Sequence, residues 1–181
     1  MKTQKLVYMA IFIALGVVLP MAFHFVGGPG LGTVFLPMHI PVLMGGAFLG
    51  PFAGAIVGLI TPIISSFLTG MPPVLPMLPI MIVELAVYGM LMGYLYQERS
   101  LNVYLSLFIS MLAGRAGAGL IVLILVHGMG FAGLPANPLV YIWGAITSGI
   151  PGILIQFVFI PPVVYYLHNF WAKKAQIGSN F

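Results

Sequence analysis

From Leu6 to Leu167 the chain is a succession of apolar blocks broken by glycine and proline far more often than by charge. The blocks run over roughly 5–24, 36–50, 52–69, 77–97, 102–126 and 139–168. Several reach the ~20 residues that an α-helix needs to cross the hydrocarbon core of a bilayer. The pattern therefore predicts six membrane-spanning helices, the last long enough to project beyond the bilayer. The second and third blocks are short, and Pro37, Pro41, Pro51 and Pro62 interrupt them. Two full crossings and one re-entrant hairpin leave the same parity, so both arrangements stay open at this stage.

Composition strengthens the membrane assignment. Hydrophobic residues make up 61% of the 181 positions and charged residues only 4%, with a mean hydropathy of +1.17. A soluble domain carries roughly a quarter charged residues. The expected fold is an all-α integral membrane protein, with residues 1–181 forming one transmembrane domain. Cysteine is absent, which excludes disulfides, thiolate metal sites and thiol nucleophiles. The start "MKTQK" followed by an apolar run looks like a signal peptide, but the run continues through Pro20 without a small-x-small exit, so retention is expected.

Charge then sets the expected orientation. Lys2 and Lys5 precede the first block, Glu98 and Arg99 lie between the fourth and fifth, and Lys173 and Lys174 follow the sixth. Cytoplasmic N- and C-termini place all of these on one side, as the positive-inside rule requires. The net charge of +4 is thereby explained by topology, and no nucleic-acid partner is expected. The three outward connections, "HFVGGPGLGTVF", "LTGMPPVLPMLP" and "HGMGFAGLPANP", contain no Lys, Arg, Asp or Glu. Such loops suit lids over an apolar cavity, or segments resting among lipid headgroups.

Only Glu84 and Arg115 lie well inside predicted spans. One charge near the bilayer centre costs at least ~2.5–3.5 kcal/mol, so each needs a partner, an aqueous cavity or a function. Glu84 falls about two turns below the outer end of its span and Arg115 about three, within reach of one another. Either they form an internal salt bridge, or they project into a solute cavity where Arg offers a planar fork and Glu accepts hydrogen bonds. Tyr88, one turn beyond Glu84, would add an aromatic wall. His39 stands between two prolines near the outer start of the second span, and Asn137 either reads a ligand or caps a helix. Gln156, deep in the last block, is expected to bond another helix. No metal site and no cofactor are expected: neither HExxH nor GxxxxGK[ST] occurs, and "AITSGIPG" is no rhomboid-type GxSG.

Small residues recur one turn apart: Ala10 with Ala14, Gly46 with Gly50, Gly54 with Gly58, Gly89 with Gly93. Most such pairs serve close helix packing.

With Ala10 and Ala14, six short spans and Gly/Pro-rich outer loops, the chain resembles the S components of energy-coupling factor (ECF) vitamin transporters. The stretches "FLPMHIPVLMGGAFLGPFAGAIVGLITPIISSFLTGMPP", "PIMIVELAVYGMLMGYLY" and "AGRAGAGL" carry the likeness, most specifically over 35–96. The resemblance implies a non-catalytic transport subunit of the prokaryotic plasma membrane that binds a vitamin or precursor near the outer surface. It implies lids from the first and third interhelical connections, and a first helix, through Ala10 and Ala14, facing the coupling subunit EcfT. Two cytoplasmic ATPases would supply the energy. Glu84, Arg115, His39, Tyr88 and Asn137 are the expected solute contacts. A free Arg115 favours an acid such as pantothenate, the preferred solute here; an Arg115 neutralised by Glu84 favours pyridoxine or hydroxymethylpyrimidine. A solitary secondary transporter and a structural membrane subunit are the alternatives.

Overall fold

The structure, a computed structural model, describes residues 3–178. Helix α1 spans Thr3–Gly27, α2 Pro29–Phe35, α3 His39–Leu49, α4 Pro51–Thr69, α5 Met77–Gly93, α6 Val103–Leu123, α7 Pro138–Ser148 and α8 Ile150–Gly178. α5 and α6 each run on into a wider π-helical turn, over Tyr94–Glu98 and Ile124–Gly128. The described residues contain no strand. Six segments are long and apolar enough to cross a membrane: Thr3–Phe25, Gly30–Leu49, Pro51–Thr69, Met77–Glu98, Val103–Gly128 and Ile150–Leu167. The expected all-helical, six-span architecture is observed.

Two boundaries differ from the expectation. The glycine-rich pattern of residues 24–35 predicts a loop, yet Pro29 opens the short helix α2, where its missing N–H costs nothing. Leu36, at φ 50°, turns the chain out of that helix, and Pro37 keeps it from re-entering until α3. The second span is thus a helix in two pieces. The sixth block, 139–168, is also divided: Gly149 ends α7 and α8 begins directly after it. Pro151, in the first turn of α8, has no N–H to continue the α7 ladder, and its ring would collide with the preceding turn of an unbroken helix. Only Ile150–Leu167 remains as a crossing segment.

Helix α5 occupies the centre, packed against α3, α4 and α6. Glycine makes that possible. A Cβ on Gly46 or Gly54 would overlap the Gly89 carbonyl oxygen, one on Gly58 the Leu85 carbonyl, and one on Gly89 the Gly54 carbonyl. The small-residue spacing of α3, α4 and α5 therefore brings backbone against backbone, the contact that holds helices together where lipid removes any hydrophobic drive between them. The tight reversal from α3 to α4 uses Gly50 at φ 86°, and Gln97 Nε2 donates to the Ala47 carbonyl at 2.7 Å, satisfying one of the exposed carbonyls at the end of α3.

One buried cluster joins Val42, Leu43, Val57, Leu85, Met92, Leu107 and Ile160. A second, around Ile80, Ala118, Val122 and Leu125, is covered by Phe131 and Leu134 from the connection between α6 and α7. Val18, Phe67, Leu120, Leu154 and Val158 are exposed, giving the bundle the apolar exterior that a hydrocarbon solvent requires. Lys2 lies outside the described residues, and Lys173 and Lys174 fall in the part of α8 whose side chains are not described.

Candidate functional site

The residues that converge come from three helices. α5 and α6 pack side by side, and Arg115 Nη1 lies 2.8 Å from Glu84 Oε1. Tyr88, one turn along α5, donates its hydroxyl to the same oxygen at 2.9 Å. His39, the first residue of α3, brings Nε2 to 3.5 Å from it, an electrostatic contact longer than a good hydrogen bond. The His39 and Tyr88 rings pack with centroids 5.3 Å apart, tilted by 58°. Glu84 is 3% exposed, Arg115 7%, Tyr88 1% and His39 4%. One carboxylate oxygen thus gathers an arginine, a phenol and an imidazole in a water-poor interior, where electrostatic interactions are strong and unpaired charge is costly.

One glycine makes room for this arrangement: a Cβ on Gly114 would overlap the Tyr88 ring. Gly149 ends α7 beside Arg115 Nη2, where a Cβ would meet the guanidinium at an ordinary 3.6 Å but crowd the Ala145 carbonyl oxygen and Leu36 Cδ1, each at 2.9 Å. The arrangement is balanced in charge, one carboxylate against one guanidinium, but not in hydrogen bonds. Arg115 Nη2 and both ring nitrogens of His39 are buried without a hydrogen-bond partner.

Four of the five expected solute contacts come together: Glu84, Arg115, Tyr88 and His39. Asn137 does not join them. Its side chain accepts from the Leu139 N–H at 2.9 Å as the cap of α7, and it is exposed. Tyr141, which sequence reasoning missed, projects from α7 toward the same region. Burial first, and then the Glu84 charge, push its phenol up to about 12, with Arg115 opposing, so it is a neutral hydroxyl at physiological pH. That hydroxyl lies 3.9 Å from Met77 Sδ, a weak contact that leaves donor capacity to spare. An aromatic in "NPLVYIWG" carries no sequence signal for this role, because its position follows from the break at Gly149.

The proline-rich connection after α4 is held down by side chains. Ser65 Oγ donates to the Met71 carbonyl and Ser66 Oγ to the Pro72 carbonyl, each at 2.7 Å. Val74 and Leu75 remain exposed at its tip. A cavity of about 840 Å³ lies at the other end of the bundle, among Phe12, Phe48, Tyr96 and Gln97. It holds no carboxylate or cationic side chain among its described walls, and Gln97 Nε2 is already bonded to the Ala47 carbonyl. Among the described residues no group of three or more His, Asp or Glu is placed to hold a metal ion.

Ala10 and Ala14 are both exposed on α1, on a face that also shows Val7, Ile11 and Val18. The opposite side of α1, with Gly16 against Thr61, packs on α4.

Comparison with known proteins gives one match. The family model described as ECF transporter, substrate-specific component, matches residues 4–164. No curated protein and no solved structure matches the chain.

Proposed function

The chain belongs to the family of substrate-specific components of ECF transporters, and on that premise we propose that it captures a neutral, hydroxylated vitamin precursor at the Glu84, Arg115, Tyr88 and His39 cluster. Membership makes it a multi-pass plasma-membrane protein and a transport subunit rather than an enzyme. It also implies work with EcfT and ATPase subunits.

The observation that carries the reading is the 2.8 Å contact between Arg115 Nη1 and Glu84 Oε1. With the guanidinium already neutralised, a monoanion entering the site would bring an excess negative charge into the membrane interior, which is expensive. A neutral solute adds no charge and can use the donors left over on Arg115 Nη2 and His39. A solute ring set against Tyr88 and His39 would meet the few aimed polar groups that small-ligand recognition uses. This weighs against pantothenate, the solute favoured from sequence, and toward a pyridoxine-like or hydroxymethylpyrimidine-like compound. The end of the bundle with α2, α7 and the Ser65-tethered connection is the outward face in this reading. Both termini are then cytoplasmic.

A thermal-shift screen of the purified chain tests it, since a ligand that binds only the folded state raises the melting temperature. A neutral heterocycle should stabilise by about 2.7 kcal/mol at a concentration near 100 Kd. Stabilisation by pantothenate alone would show that the Glu84–Arg115 pair opens to receive an acid. Silence across the B vitamins and their precursors would leave the solitary transporter and the structural subunit.

The exposed small face of α1 supports its assignment as the surface that meets EcfT. Ala10→Trp or Ala14→Trp should leave solute binding within about twofold, because neither side chain is buried in this chain. Either should abolish co-purification with EcfT by holding the helices apart. Unchanged co-purification would move the coupling surface elsewhere.

A further inference from the structure

The cavity of about 840 Å³ at the end of the bundle away from Glu84 and Arg115 takes no part in the site above. It opens between α1 and α8, two helices with little direct packing between them. Tyr8 and Phe12 line it from α1, Ala47 and Phe48 from the end of α3, Leu101 from just before α6, and Leu167 from α8. The Phe12 and Phe48 rings stack with centroids 6.3 Å apart and planes 8° from parallel, giving the cavity a flat aromatic wall. For a span set in a bilayer, the solvent that meets such a wall is hydrocarbon.

A cation stands beside it. A second hollow of about 320 Å³ shares Tyr8, Phe48 and Leu49 with the first and adds Gln4 and Lys5. Lys5, Tyr8 and Phe12 are spaced three and four residues apart, so they follow one face of α1 from its polar start into the apolar cavity. A lysine at such a place lays its stem along the apolar wall and keeps its ammonium at the level of the lipid headgroups. Among the described residues Lys5 forms no ion pair. The two acids of the chain stand elsewhere, Glu84 against Arg115 and Glu98 outside both sets of walls. Arg99 is engaged too, its Nε donating to the Tyr94 hydroxyl at 2.7 Å. Lys5 is therefore the charge that the groove itself offers.

We infer that this groove is a binding site for an anionic phospholipid, with one acyl chain in the cavity beside Phe12 and Phe48 and the phosphate against Lys5. With both termini cytoplasmic, the lipid comes from the inner leaflet. Basic pockets between membrane helices on that side suit anionic headgroups, and a zwitterionic lipid gains less there because its own cation opposes Lys5. A partner helix fits the space poorly. At a diameter of about 10–12 Å each helical turn fills about 400–600 Å³, so the cavity takes no more than about two turns. The groove is also distinct from the face proposed to meet EcfT, since Ala10 and Ala14 stand about 200° around α1 from Tyr8 and Phe12. Nothing in the inference depends on which solute is captured.

The test is native mass spectrometry of the full chain in detergent, titrated with phosphatidylglycerol and separately with phosphatidylcholine of the same acyl chains. Wild type should bind phosphatidylglycerol about fivefold more tightly than phosphatidylcholine, the effect of one lysine at a headgroup. Lys5→Gln should bind the two lipids alike. Leu167→Trp, which puts a larger ring into the cavity, should bind both about tenfold more weakly, as excluding two methylenes from the cavity would do. Without lipid it should melt at or above the wild-type temperature, because it fills space. If Leu167→Trp does not fold, Leu167→Phe makes a smaller addition with the same expected direction. Equal or absent binding of the two lipids by wild type, or an undiminished preference in Lys5→Gln, would overturn the inference. Unchanged lipid binding by a folded Leu167 variant would overturn it as well, and if that variant also failed to co-purify with EcfT, the cavity would belong to the coupling subunit instead.

Discussion

Glu84→Gln is expected to destabilise the protein by about 3–5 kcal/mol and to abolish solute binding, and adding Arg115→Gln is expected to restore most of the stability but none of the binding. The first cost follows from the pair. With Glu84 neutral, Arg115 keeps a full charge at a site where it is 7% exposed and has lost the carboxylate it lay against. Removing one partner of a buried ion pair typically costs about that amount, because the survivor is left uncompensated. Removing both partners takes the stranded charge away, and buried pairs replaced by uncharged residues are often close to neutral. Binding behaves differently, since the donors of Arg115 and the acceptor of Glu84 are lost together. Melting curves and titration calorimetry on wild type, both single variants and the double variant separate the two effects. If the double variant regained binding as well as stability, the pair would be a brace between α5 and α6 and nothing more.

The pair is legible in the sequence because two charges in otherwise apolar spans are too costly to be incidental. Tyr88 is legible from its spacing of one turn from Glu84, and His39 from the prolines that disturb the backbone around it. What the sequence leaves open is whether Glu84 and Arg115 meet each other or the solute, because hydropathy gives depth and not azimuth. The break at Gly149 is hidden for a related reason. "IWGAITSGIPGILI" carries no charge and only Thr147 and Ser148 as polar side chains, so the block shows no gap, although Gly149 and Pro151 hold the signal for a helix end. With that break hidden, Tyr141 and the place of Gly149 beside Arg115 are hidden too. The opposite holds at "GGPGLG", where glycine and proline signal a loop while contacts of α2 with α1 and α8 support a short helix. Asn137 suits both a cap and a solute contact by sequence, and the hydrogen bond to Leu139 shows the cap.

The second large effect is expected at Gly89, which has no polar side chain of its own. Gly89→Val should cost more than about 4 kcal/mol, the range of the most damaging single substitutions. Its Cβ would overlap the Gly54 carbonyl, a backbone group that no rotamer change can move aside. α4 and α5 would have to separate, and with them the stacked contacts of Gly46, Gly54, Gly58 and Gly93, each closed against a neighbouring backbone. In lipid that contact surface is the main source of helix association, so little remains to oppose the separation. The control is Gly144→Ala in α7, where a Cβ meets nothing within 4 Å and replacing glycine within a helix gains up to about 1 kcal/mol. Detergent-solubilised Gly89→Val should elute as aggregate or melt far below wild type, while Gly144→Ala should melt at or slightly above it. Equal melting of Gly89→Val and wild type would show that α4 and α5 do not approach so closely. The consequence reaches the site because Gly89 directly follows Tyr88 and lies five residues from Glu84 on the same helix. Even a folded fraction of Gly89→Val should bind solute poorly, since any displacement of α5 carries the Glu84 carboxylate away from Arg115 and His39.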